Sequence, residues 1–175
     1  ANEPTFAVSP ADPARLVVGW REFPSINSDW RYAGYAWSED GGRTWTNGGT
    51  LDAPPGYAGA AQTDPVVKVN ADGVFYYWSE VFRPNYAQFM YRSTDGGATW
   101  ATPAPIEDPT NGDKPWLAID NTGGMGDGHL YGGWNHFNLG GYCYVESTDG
   151  GATWSPSVRI ADAGGTQWML HMVVG

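Results

Sequence analysis

Ser38-Glu39-Asp40-Gly41-Gly42-Arg43-Thr44-Trp45 returns as Ser93-Thr94-Asp95-Gly96-Gly97-Ala98-Thr99-Trp100 and again as Ser147-Thr148-Asp149-Gly150-Gly151-Ala152-Thr153-Trp154. The three starts lie 55 and 54 residues apart (38, 93, 147), and a fixed period of that length marks a chain built from repeated units. Each octet reads as a hairpin turn. The Asp side chain accepts hydrogen bonds from the backbone N–H groups that follow it, and the glycine pair supplies the positive φ of a tight turn. The Thr then restarts a strand, and the Trp buries a large apolar surface. Ser38, Asp40, Gly42, Thr44 and Trp45, with their counterparts Ser93, Asp95, Gly97, Thr99, Trp100 and Ser147, Asp149, Gly151, Thr153, Trp154, therefore have folding tasks, and the octet encodes no chemistry.

Outward from the octets, the remaining segments align as strands. A first strand reads Pro4 to Ser9, Pro65 to Asn70 and Pro115 to Asp120. A second closes on a tryptophan each time, at Trp20, Trp78 and Trp134, and a third enters the octet over Tyr32 to Ser38, Ala87 to Ser93 and Gly141 to Ser147. A shorter fourth strand follows the octet Trp, bounded by proline segments such as Thr102-Pro103-Ala104-Pro105. Four antiparallel strands per unit is the blade of a β-propeller, with units over 1–61, 62–111 and 112–165.

The octets resemble the Asp-boxes, or BNR repeats, of the sialidase-like β-propeller family, and the resemblance covers nearly the whole chain. It implies an all-β propeller, six-bladed when complete, with the box at the outer rim joining the third and fourth strands of each blade. It implies fold more than activity, because function lives in sites carried on folds. Three blades do not close such a ring, and Trp168 to Val174 reads as the first strand of a fourth blade (166–175). The expected partner is therefore the remainder of the propeller, supplied by a second polypeptide, a longer version of this chain or a second copy.

Composition agrees. With 25 Gly, 13 Pro, 10 Trp and 10 Tyr, the chain suits short strands and tight turns, and no sustained 3.6-residue apolar pattern argues for a helix. No apolar run is long enough for a membrane span. Nine Lys+Arg against 19 Asp+Glu give a formal charge of -10, which opposes nucleic acid and anionic membranes as partners. The start at Ala1 fits a removed signal peptide, so an extracellular location is expected. The lone Cys143, in a strand-like run, reads as a small core residue, and His129, His136 and His171 are too scattered for a zinc site.

Function is sought where propellers hold ligands, at the face where innermost strands begin and second strands pass to third. Ahead of the first-strand prolines stand Glu3, Asp64 and the pair Asp113-Lys114, an acidic group at the same point of each repeat. In the expected long connections stand Arg21, Glu22, Asp29 and Trp30, then Glu80, Arg83 and Tyr86, then Asn135, His136 and Asn138. The acidic set reads either as ordinary strand starts or as converging carboxylates that hold a cation or sugar hydroxyls. Trp30, Tyr86 and Trp116 read as platforms for a pyranose face.

What the sialidase resemblance implies about catalysis is partial. Its first clamp arginine, two residues before the first-strand Pro, is Asn2 here, with Arg21 or Arg31 nearby as substitutes. Its acid/base loop aspartate finds a match in Asp29, with Arg21 and Glu22 beside it, whereas its tyrosine nucleophile belongs to later blades. The loop from Asp120 to Gly128, carrying Asp120 and Asp127, is rich in oxygen ligands and glycine, as a calcium loop is, but lacks the EF-hand order. No cofactor is required by any of these readings. The expected function is a secreted propeller that recognises a glycan or glycoconjugate at its mouth, with exo-acting hydrolysis of sialidase type left open beside a noncatalytic sugar-binding or protein-docking role.

Overall fold

The structure is a computed structural model describing residues 2–83, 86–162 and 171–174. Twelve strands and no helix occur among these: β1 (Asn2–Val8), β2 (Leu16–Glu22), β3 (Tyr32–Ser38), β4 (Thr46–Thr50), β5 (Ala61–Val69), β6 (Phe75–Arg83), β7 (Tyr86–Ser93), β8 (Ala104–Thr110), β9 (Gly112–Ile119), β10 (Leu130–His136), β11 (Gly141–Ser147) and β12 (Val158–Asp162). They form three four-stranded antiparallel sheets in the orders β1-β2-β3-β4, β5-β6-β7-β8 and β9-β10-β11-β12. Each sheet is one repeat, so the three are blades 1, 2 and 3 of a sialidase-like propeller fold. The first strands lie side by side, β5 touching β1 on one flank and β9 on the other, which fans the sheets from a common inner edge.

Position in the fan explains burial. Blade 2 is covered on both faces, and β5 is buried from Ala61 to Val67 without alternation. One core packs Val17, Ala33 and Tyr35 of blade 1 against Val67, Tyr77 and Tyr91 of blade 2. The other packs Tyr76, Trp78 and Met90 of blade 2 against Leu117, Leu130, Trp134 and Cys143 of blade 3. Cys143 is fully buried as a core residue, and burial pushes its thiol up to about 12. Glycine allows the sheets to close at Gly19, where a Cβ would lie 2.7 Å from the Tyr77 ring, and at Gly132, where it would strike the Trp78 ring.

The octets are the expected turns. In each, the Ser hydroxyl accepts the second glycine N–H at 2.9 Å and donates to the Asp carboxylate, which accepts the Thr N–H and hydroxyl in turn. These Thr donors hold the Asp40 and Asp149 carboxyls down at about 2. Trp100 reaches back to Tyr35 and Tyr77, and Trp154 to Trp78, each at 5.8 Å between ring centroids. An octet Trp thus staples its blade to the preceding one. Trp45, whose blade comes first, remains 45% exposed.

Strand boundaries depart from the sequence reading at the mouth. First strands begin before their prolines, at Asn2, Ala61 and Gly112, and second strands run past their tryptophans to Glu22, Arg83 and His136. Arg21, Glu22, Glu80, Arg83, Tyr86, Asn135 and His136 are consequently strand residues, and of the expected connection set only Asp29, Trp30 and Asn138 lie between strands. A proline removes one ladder donor without ending the pairing, which resumes on its other side. Of the segment expected to open a fourth blade, 166–170 and Gly175 lie outside the described residues, and 171–174 is irregular chain. Among the described residues no helix is long and apolar enough to cross a membrane.

Candidate functional site

Proline cannot donate to the ladder, and at Pro4, Pro65 and Pro115 the first strand answers with a bulge. Register slips between Asn2 and Thr5, between Thr63 and Val66, and opposite Gly133 to Asn135. The residue before each proline takes a left-handed backbone: φ is 52° at Glu3, 49° at Asp64 and 57° at Lys114. A residue ahead of proline normally stays extended, and a side-chain-bearing residue at positive φ is strained, so one costly conformation recurs at one point of all three blades. The equivalents of Glu3 and Asp64 is therefore Lys114 in blade 3, not the acid expected there, with Asp113 one step upstream. The mouth carries carboxylates interleaved with cations.

Those side chains converge. Lys114 Nζ lies 2.9 Å from Glu3 Oε1 and 3.1 Å from Asp64 Oδ2, bridging blades 1, 2 and 3. Arg21 Nη1 lies 3.3 Å from Glu3 Oε1 and 3.8 Å from Asp64 Oδ1, and its Nε donates to Asn2 Oδ1 at 2.6 Å. Thr63 donates to Asp64 Oδ1 at 2.8 Å, and the Lys114 backbone N–H donates to Asp113 Oδ1 at 2.8 Å. Glu80, 1% exposed on β6, accepts from Gln88 Nε2 at 3.0 Å, and Gln88 accepts the Trp78 indole N–H at 2.6 Å. Asp64, Glu80 and Asp113 bring carboxylate oxygens within 4.8 Å of one another. Lys114 stands against Asp64 and Glu3 as their counterion.

Crowding separates the acidities. Burial works against the Asp64 charge, but hydrogen bonds with Asp113 and Glu3, and the Lys114 ammonium, outweigh it and hold the Asp64 carboxyl below its ordinary value. Asp113 is pushed up to about 6 by burial and by neighbouring Asp64. Burial, then Asp64, raises Glu80 well above the usual carboxylate range, and the same two causes raise Glu3 against the pull of Lys114. Burial disfavours the Lys114 charge, yet Asp64 and Glu3 more than restore it. Asp64 is thus the anion of the group, and Asp113 the member that changes charge near neutrality.

The cluster opens into a recess of about 340 Å³. Asp64, Glu80, Asp113 and Lys114 line its charged side with Arg21 and Arg31, and Phe82, Tyr86 and Phe137 line the remainder. The Arg31 guanidinium lies 4.7 Å from the Phe82 ring centroid. On the other side of Glu3, Asp64 and Lys114, a more apolar cleft of about 460 Å³ is lined by Pro4, Pro65, Pro115, Val66 and Trp116.

Apart from Trp116, which lines the apolar cleft, the remaining candidates whose side chains are described stand apart. Asp29 and Trp30, in the β2–β3 connection, line neither recess. Glu22 accepts the Trp20 indole N–H. The Trp116 ring faces Lys68 Nζ at 4.9 Å and the His171 ring at 4.3 Å, and its indole N–H donates to Met172 O at 3.0 Å. His136 is buried beside Glu107, at 3.2 Å. The Arg83 side chain lies outside the described part of the structure. In the 120–128 loop, Asp120 Oδ1 accepts from the Thr122 N–H and hydroxyl, and Asp127 Oδ1 from the Gly123 N–H. The two carboxylates are engaged in shaping the loop.

Sequence reasoning missed Thr63, Phe82, Gln88 and Phe137. Gln88 carried a signal, being a lone amide in the otherwise apolar run Ala87 to Tyr91; Phe82 and Phe137 carried none, since an aromatic at a strand end reads as core.

No family model and no curated protein matches the chain. Among solved structures, it is similar to the α-L-arabinanase of Penicillium chrysogenum complexed with arabinobiose, at 18% identity and a TM-score of 0.66, over 89% of this chain and 48% of that one. It is similar also to the Hadza microbial sialidase Hz136, at 19% identity and a TM-score of 0.62, over 87% of this chain and 32% of that one. A mutant Trypanosoma rangeli sialidase displaying trans-sialidase activity aligns at 16% identity and a TM-score of 0.60, over 88% and 27%. The fold is that of the sialidase-like β-propellers, and the chain spans less than half the length of these neighbours.

Proposed function

We propose that this chain is the glycan-recognising part of a secreted sialidase-like propeller, and that its ligand enters the recess beside Asp64, Asp113 and Lys114. One observation carries the reading: three blades each place a strained residue at the same point, the three side chains meet in one ion-paired cluster, and Asp64 and Lys114 of that cluster line a charged recess with aromatic walls. Fold neighbours whose names denote a sialidase and an arabinanase support a sugar as the ligand. A remainder of the propeller completes the ring around the recess.

Hydrolysis is the finer reading. Asp113 and Asp64 are close carboxyl groups with acidities driven apart, the arrangement in which one group donates a proton while the other stays ionised. Asp29 remains the alternative acid/base by resemblance. Turnover of fluorogenic glycosides by the native protein, compared with Asp113→Asn and Asp29→Asn, separates them: loss in the first alone assigns the chemistry to the cluster. Saturable sugar binding without turnover in any form leaves a noncatalytic glycan-binding propeller, and absence of sugar binding by the native protein sinks the glycan reading.

A further inference from the structure

A sugar that carries a carboxylate needs cations that are not already committed, and the recess offers few. Arg21 and Lys114 each hold both Glu3 and Asp64, with Lys114 at 2.9 and 3.1 Å and Arg21 at 3.3 and 3.8 Å. Arg31 contributes a guanidinium laid over Phe82, and a single guanidinium is not a clamp. Resting on the glycan reading of this recess, we propose that its ligand is a neutral sugar, bound through its hydroxyl groups by carboxylates, and that acidic sugars, sialosides included, are selected against.

An incoming carboxylate must either pull Lys114 or Arg21 away from Asp64 or lie beside Asp64 and Asp113 with the Arg31 guanidinium as its one uncommitted cation among the described residues. The Asp64 side chain is 5% exposed, so stripping its ammonium leaves a buried charge unpaired, the costly way to break an ion pair. The second course sets the incoming carboxylate a few ångströms from ionised Asp64, and from Asp113 above about pH 6, in a partly desolvated recess. The chain's net charge of -10 adds a repulsive field on the approach.

Hydroxyl groups meet none of these obstacles. They donate to carboxylate oxygens and leave the ion pairs standing. The half-buried Asp113 lines the recess as such an acceptor, while Phe82, Tyr86 and Phe137 supply apolar walls for the C–H faces of a sugar ring. Lys114 and Arg21 then act by keeping Asp64 ionised and in place, and their positive charge is spent within the protein.

Isothermal titration and saturation-transfer NMR on the 175-residue chain test this with matched pairs: lactose against sialyllactose, and galactobiose against digalacturonic acid, with arabinobiose as a further neutral probe. The neutral member of each pair is expected to bind at least about fivefold tighter. Glu3→Gln, which releases Arg21 and Lys114 from one carboxylate, is expected to narrow that preference, and circular dichroism verifies that the variant is folded. A neutral preference below about fivefold, or an acidic preference, overturns the inference and leaves the glycan reading standing. Failure of every sugar, neutral and acidic, to bind overturns both.

Discussion

Glu3, Asp64 and Lys114 share a backbone conformation and a following proline but not a charge, and this difference governs how the mouth responds to pH. Asp113 has a folded value of about 6, above the roughly 3.9 of an unfolded aspartate. Between those values the folded chain holds a proton that the unfolded chain has released, so ionised Asp113 costs stability above pH 6 and the cost lifts as pH falls. Asp113→Asn is therefore expected to raise Tm at pH 7.5 and to change it little at pH 4.5. Asp64, lowered by its partners, has the opposite sign: its contribution is present above the unfolded value and is lost as pH falls toward the folded one. Asp64→Asn is expected to lower Tm at pH 7.5. Thermal melts of the two variants at both pH values check the pair, and equal shifts for both would contradict the division of charge between them.

At the scale of the element, the octet turn works through a buried serine. Ser93, 1% exposed, accepts the Gly97 N–H at 2.9 Å and orients Asp95 at 2.8 Å. Ser93→Ala leaves that buried N–H without its partner and is expected to cost about 1–3 kcal/mol by urea denaturation. Gly132→Ala acts from the other side of the sheet, forcing a methyl group into the buried Trp78 ring at the joint between blades 2 and 3. Overpacking there is expected to cost about 1–3 kcal/mol, read in the same denaturation series. The turns were legible because each octet residue closes its own hydrogen bonds within a few positions. The strand ends at the mouth were not: whether pairing stops at a proline or bulges and resumes depends on the facing strand, and that is how Arg21, Glu80 and His136 came to read as connection residues.

At the scale of the molecule, blade 2 joins two cores, one with each neighbour. Leu130, fully buried in the second, is expected to cost about 2–5 kcal/mol when replaced by alanine. Because blade 2 is common to both cores, the loss should appear as a shift of one unfolding transition, seen alike by tryptophan fluorescence and near-UV circular dichroism. Two separated transitions would mean that the blades unfold independently. The thrice-repeated octet and the strand patterns around it determined the blade, its four strands and the number of blades, since hairpin turns and alternating strands are specified by residues close in sequence. The sequence also marked Glu3, Asp64, Asp113 and Lys114 as a recurring set. Only the tertiary structure decided that the residues before the three prolines share a left-handed backbone, that Glu80 is buried close to Asp64, and that Lys114 and Arg21 are both committed to Glu3 and Asp64. Those contacts join residues up to 111 positions apart on three different blades, and packing alone sets their distances and their charge.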